Sequence, residues 1–181
     1  MMNFARNTIR GLASETRGAE VAEAAAVLPL MFMILLGIFW FGQAFSIYGA
    51  ITRAAEDGAR AGSLPYCVTC TGSNSPQTNA VNAVQASMRA SNLDPTFARQ
   101  PSPEPTLYSC SDSTSGVDCG SGNSNFCVQT PVLITSSLGA TGLCGISVSF
   151  QYPYKFWLPF TSINKQTIWI SASARVRMEN R

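Results

Sequence analysis

Cys67-Val-Thr-Cys70 has the spacing of a redox or metal-binding thiol pair, a short arrangement whose residue types could do chemistry directly. A thioredoxin-like pair needs a βαβ context and a helix N-terminus to depress the thiol pKa. Here Pro65 precedes the pair and Thr71-Gly72-Ser73-Asn74-Ser75-Pro76 follows it, which reads as loop. A second C-x-x-C is absent, so the donor set for tetrahedral zinc is incomplete. The chain has no histidine, which removes Ser-His-Asp triads, Cys-His dyads and histidine-bearing zinc sites together. Asp112 and Asp118 lack the D-x-[DN]-x-[DN]-G spacing of a calcium loop. No catalytic residue, metal or cofactor is expected, and the six cysteines, Cys67, Cys70, Cys110, Cys119, Cys127 and Cys144, read as three disulfides. Six thiols allow 15 pairings, among which the sequence does not choose.

The second chemical feature is a carboxylate in an unusual place. Glu23 stands at the mouth of an uncharged stretch, residues 24–52, whose apolar core exceeds the roughly 20 residues a helix needs to cross a bilayer. A carboxylate drawn into hydrocarbon costs up to a few kcal/mol and needs a partner. Arg6, Arg10 and Arg17 precede the stretch against Glu15 alone, whereas Arg53 and Arg60 beyond it are offset by Glu56 and Asp57. The positive-inside rule then puts the N-terminus in the cytoplasm. All six cysteines fall on the opposite side, in a bacterium the oxidising periplasm. The apolar run is longer than a signal-peptide core, and no A-x-A site closes it. A signal-anchored, unprocessed periplasmic envelope or binding protein is the alternative reading. At 181 residues, 12% charged and with a net charge of +2, the chain has room for one small soluble domain beside the span, and nothing in that charge implies nucleic acid.

The rest of the chain must position these features. Pro29 lies inside the span, where membrane helices tolerate proline. Ser46, Ala50, Ala54, Gly58 and Gly62 recur every four residues, a stripe of small side chains against which something packs closely, either this protein's own sheet or another subunit. Arg53, Glu56, Asp57 and Arg60 read as the solvated face. Residues 78–91 predict a second helix, residues 101–105 (Pro-Ser-Pro-Glu-Pro) an extended, polyproline-like spacer, and residues 110–125 a polar surface loop held by its cysteines. Residues 126–135, 145–154 and 167–178 read as strands, with Ile146, Val148 and Phe150 alternating with Ser147, Ser149 and Gln151. If the first two form a hairpin, Cys127 and Cys144 lie at its opposite ends and each pairs elsewhere. Residues 152–160 are the most aromatic segment and read first as a core anchor. The expected class is α+β: a long N-terminal transmembrane helix continuing into a small periplasmic domain with an antiparallel sheet of three or four strands.

Two blocks carry a family resemblance. The run Arg17-Gly18-Ala19-Glu20-Val21-Ala22-Glu23-Ala24-Ala25-Ala26-Val27-Leu28-Pro29-Leu30, and its continuation from Phe41-Gly42-Gln43-Ala44 to Thr52-Arg53-Ala54-Ala55-Glu56-Asp57-Gly58-Ala59-Arg60-Ala61-Gly62, closely resemble the TadE-like pseudopilins of tight-adherence (Tad, or Flp) type IV pili. Ala24 departs from the aromatic residue these pilins commonly carry there. The resemblance implies a structural minor pilin or pseudopilin. Its basic leader, residues 1–18, would be cut from Ala19 by a prepilin peptidase at Gly18, and Glu23, the fifth mature residue, would serve assembly. It further implies an assembly helix over residues 19–63 and a disulfide-bonded domain over residues 64–181. The partners implied are other Tad pilins and pseudopilins and an inner-membrane assembly platform. The implied location is single-pass in the bacterial inner membrane, with incorporation into the extracellular pilus.

Overall fold

The computed structural model describes residues 16–64, 75–110, 116–119, 125–134, 143–155 and 167–178. Its elements in order are helix α1 (Thr16–Ser63), helix α2 (Pro76–Ala90), a 3-10 turn (Pro95–Phe97) and strands β1 (Cys127–Leu133), β2 (Cys144–Lys155) and β3 (Thr167–Arg177). The class is α+β, with a three-stranded antiparallel sheet in the order β1-β2-β3 among the described residues. By contacts the chain divides into two units, Met1–Gln43 and Ala44–Arg181.

In the first unit α1 is apolar on all sides: Leu30, Phe32, Ile34, Ile38 and Phe41 are all exposed. A helix satisfies its own backbone groups, which is what hydrocarbon demands. It is the one helix among the described residues long and apolar enough to cross a membrane.

The second unit is built on one face of the sheet. In β2 the residues Ile146, Val148 and Phe150 are fully buried and stand opposite Val176, Ala174 and Ala172 of β3. Ile51, Ala54, Ala55 and Ala59 of α1, with Ala80, Val81, Val84 and Met88 of α2, close this face into one core. Phe126 and Phe150 meet edge to face with centroids 5.3 Å apart, a geometry worth about 0.5–1.5 kcal/mol beyond burial. Helix α2 starts at Pro76 rather than at residue 78, because Ser75 caps it: its Oγ accepts from the Thr78 backbone N–H at 3.2 Å, and proline is well tolerated in a first helical turn. Asp57 on α1 accepts a 2.9 Å hydrogen bond from the Ser87 hydroxyl, so this member of the expected solvated face also ties the two helices together.

Over β1 and β2 the opposite face of the sheet is buried as well, and it is polar, whereas Ser171, Ser173, Arg175 and Arg177 of β3 leave its other side exposed. Gln129, Ser147 and Ser149 are at most 4% exposed. Residues 105–110 and 116–119 lie against this side. Gln129 Nε2 donates to the carbonyl oxygens of Pro105 (2.9 Å) and Val117. Leu133 N–H donates to Tyr108 O, and Ser109 bridges Val132 on the outer edge of β1. Two disulfides fasten the described ends of the polar loop: Cys110–Cys144, with Cα atoms 5.5 Å apart, and Cys119–Cys127, at 4.7 Å. The hairpin register pairs Cys127 with Ser149 and Cys144 with Leu133, so those two thiols stand at opposite ends and each bonds elsewhere. Cys67 and Cys70 lie outside the described residues, as does Asp112.

The segment 101–105 forms neither helix nor strand, and its Ser102–Pro103 peptide bond is cis. Two features of the sheet have no counterpart among the expectations. In β1 the register shifts by one residue between Gln129 and Val132, which turns Val132 toward the same side as Gln129. Beyond Cys127 the place of β1 is taken by Arg99, which exchanges backbone hydrogen bonds of 2.9 and 2.8 Å with Gln151. The N–H that Pro153 lacks would point to this same side two residues further on, where pairing ends.

Just before Arg99, Asp94 caps the 3-10 turn by accepting from the Thr96 N–H and hydroxyl at 2.9 and 2.8 Å. These donors, with Arg89 nearby, hold its carboxyl below the usual range. A lowered folded pKa adds stability that is full above the unfolded value of about 3.9 and fades as pH falls through the folded one. Asp94→Asn is therefore expected to flatten the acid limb of the stability profile, read by denaturant titration of the detergent-solubilised protein between neutral and acidic pH. For the disulfides, chain entropy gives about 4 kcal/mol for the 34-residue separation of Cys110–Cys144 and about 2.5 kcal/mol for the 8-residue separation of Cys119–Cys127. Paired serine substitutions at the first bond are expected to lower the unfolding midpoint more than those at the second.

Candidate functional site

The candidate site is the helix itself. Gly18 lies in its first turns, exposed, with open space where a side chain would stand. Glu20 and Glu23 are exposed on the same helix, and the apolar run begins directly after Glu23. Among the described residues Glu23 forms no ion pair. The helix runs through Pro29, whose ring leaves the carbonyl of Ala25 without its intrahelical donor. No group of three metal-ligating side chains occurs among the described residues.

Further along α1 the small-residue stripe divides. Ala54, Gly58 and Gly62 are buried, Ala50 is half-buried and Ser46 is exposed. A strict four-residue repeat drifts by about 40° per step around a helix of 3.6 residues per turn, so its far end rotates away from a fixed partner. The residues that do face the core, Ile47, Ile51, Ala54, Ala55, Gly58, Ala59 and Gly62, keep the 3.6 period instead. At Gly58 a Cβ would collide with Val84 and stand 3.1 Å from the Ala80 carbonyl oxygen. At Gly62 it would meet Ile146 Cδ1 at 2.5 Å, Pro76 O at 2.9 Å and Ala80 Cβ at 3.0 Å. Helix α2 and strand β2 therefore approach the α1 backbone more closely than any side chain would permit. Glycine inside a helix costs up to about 1 kcal/mol against alanine, and this contact is the physical reason for it.

Gln129 was not visible as a site residue in the sequence. Period two places it beside Cys127, and a disulfide-bonded cysteine marks a covered face, so the signal lay in reading β1 against its own thiol.

A single long helix, apolar all round at first and then amphipathic, which enters a small disulfide-bonded α+β unit, defines a helix-anchored protein. Comparison with known families sharpens this: residues 18–60 match the family described as TadE-like protein. The match begins at Gly18 and ends in the close-packed glycine region. No curated protein and no solved structure matches the chain.

Two glycine substitutions separate close packing from helix propensity. Gly62→Ala is expected to lower stability by about 1–3 kcal/mol through overpacking, whereas Gly49→Ala, with nothing within 4 Å of the new methyl, is expected to leave it unchanged or raise it by up to about 1 kcal/mol. Denaturant unfolding of both variants in one detergent reads the difference.

Proposed function

We propose that this chain is a structural minor pilin or pseudopilin that takes part in assembling a tight-adherence (Tad/Flp) type IV pilus and has no catalysis of its own. The observation that carries the reading is the TadE-like match, which starts at Gly18 and runs across the apolar helix. A prepilin peptidase cuts between Gly18 and Ala19 on the cytoplasmic side of the inner membrane, and the disulfide-bonded domain lies in the periplasm. The partners are that peptidase, sibling pilins and pseudopilins, and the inner-membrane assembly platform.

In this mechanism the cut creates the charge that Glu23 needs. The new α-amine of Ala19, with a reference pKa near 8, is largely cationic at neutral pH. Glu23 of one subunit pairs with the Ala19 amine of its neighbour, which neutralises both charges in hydrocarbon and fixes the axial register between helices. Pro29 and the exposed apolar residues of the helix supply the packing surface between subunits.

Intact mass and N-terminal sequencing, in cells with and without the prepilin peptidase, test the reading. A peptidase-dependent start at Ala19 is expected. A start at Met1 in both strains would overturn the pilin reading in favour of an unprocessed, signal-anchored envelope or binding protein. Glu23→Gln is expected to be processed normally yet to fall at least about tenfold in the sheared pilus fraction, since an unpaired charge in hydrocarbon costs about 2.5–3.5 kcal/mol.

A further inference from the structure

The sheet of the second unit has one end unlike the other. Gly62 lies over Ile146 and Gly58 over Val148, so stepping back along α1 means stepping forward along β2. At about 1.5 Å per helical residue and about 3.3 Å per strand residue, Tyr154 comes level with about residue 45 of α1. Within the second unit, the end of the sheet formed by Tyr154, Lys155, Ile168 and Trp169 is therefore the end nearest Ala44, where that unit begins.

That end carries apolar side chains in water. Ile168 is 44% and Trp169 37% exposed, whereas Phe150 and Ile146, further along the same sheet, are fully buried. Cations stand with them. The Arg99 guanidinium lies 3.5 Å over the Trp169 ring and donates from Nε to Gln151 Oε1 at 3.1 Å, and Lys155 is exposed beside Tyr154. Asp94, the carboxylate close by, faces Arg89. An indole held by an arginine, an exposed isoleucine and a free lysine match the depth profile of a bilayer boundary, where aromatic rings sit at headgroup level and long cations reach phosphates.

We infer that this end of the sheet is a lipid-binding surface: Ile168 and Trp169 enter the headgroup region of the leaflet that α1 leaves, while Arg99 and Lys155 face lipid phosphates. The inference rests on α1 spanning a membrane, and the occupant is argued from chain connectivity, since Ala44 follows directly on Gln43, the last residue of the apolar unit. A second copy of the chain is the competing occupant.

The test uses the full chain in nanodiscs of phosphatidylcholine and phosphatidylglycerol, with plain or brominated acyl chains. Trp169 emission is isolated as the difference between the parent and Trp169→Phe, a substitution at a partly exposed edge position, with circular dichroism checking the fold. Trp40 is buried, so the span is reported by a tryptophan placed at the exposed Phe41, its emission isolated as the difference between Trp40→Phe/Phe41→Trp and Trp40→Phe alone. Bromine is expected to quench both reporters, Trp169 by roughly twofold or more, as for an interfacial ring. Quenching of the span reporter alone would overturn the lipid-binding surface and leave the span standing. Quenching of neither would overturn the span and the surface with it. Trp169 emission that ignores bromine and changes with the number of copies per disc would assign the surface to a second copy and overturn the inference.

Discussion

One continuous helix has to meet two different solvents, and the remainder of the chain is arranged around that requirement. In hydrocarbon a helix is acceptable because it leaves no backbone group unsatisfied, and its side chains can be apolar in every direction. In water the same cylinder must hide one stripe and wet the rest. Up to Gln43 the sequence obeys the first rule; from Ala44 it obeys the second, with Ile47, Ile51, Ala54, Ala55 and Ala59 turned to the core and Arg53, Glu56 and Arg60 to water. Glycines at 58 and 62 let a second helix and the central strand come to the backbone itself, so the helix serves as the main beam of the domain core.

The sheet meets a related difficulty on its other side. Its central strand carries serines and faces a glutamine, and buried polar groups are costly unless bonded. Gln129 reaches two backbone carbonyls of the segment that covers it, and two disulfides keep that segment in place. A domain with a core this small gains from such fastenings, because chain entropy weighs against ordering a stretch so poor in apolar side chains.

Much of this was legible beforehand. Period-two alternation exposed β2 and β3, the uncharged run exposed the helix, and the Gly18-to-Gly62 pattern pointed to the TadE-like region that the family comparison finds. The opposed positions of Cys127 and Cys144 followed from the hairpin alone. What escaped were features decided by distant parts of the chain. Nothing local to Arg99 says that it extends the edge of β1, and nothing near residues 105–110 and 116–119 says that they cover a polar sheet face. The four-residue stripe was legible as small side chains, but its exposed end at Ser46 follows from helical drift over four turns, which a pattern of types does not display. Asp57 looked like a solvated charge because its donor, Ser87, is thirty residues away.

The pairing of Arg99 with Gln151 has a further consequence. With β1 and Arg99 along one edge and β3 along the other, the middle of β2 is hydrogen-bonded on both edges and buried on both faces. No fraying of an end and no opening of a single neighbour frees it. Its amide hydrogens can trade with solvent only when the helices, the disulfide-bound cover and both flanking segments let go together, so the slowest-exchanging segment of the domain is also the one that reports its global unfolding.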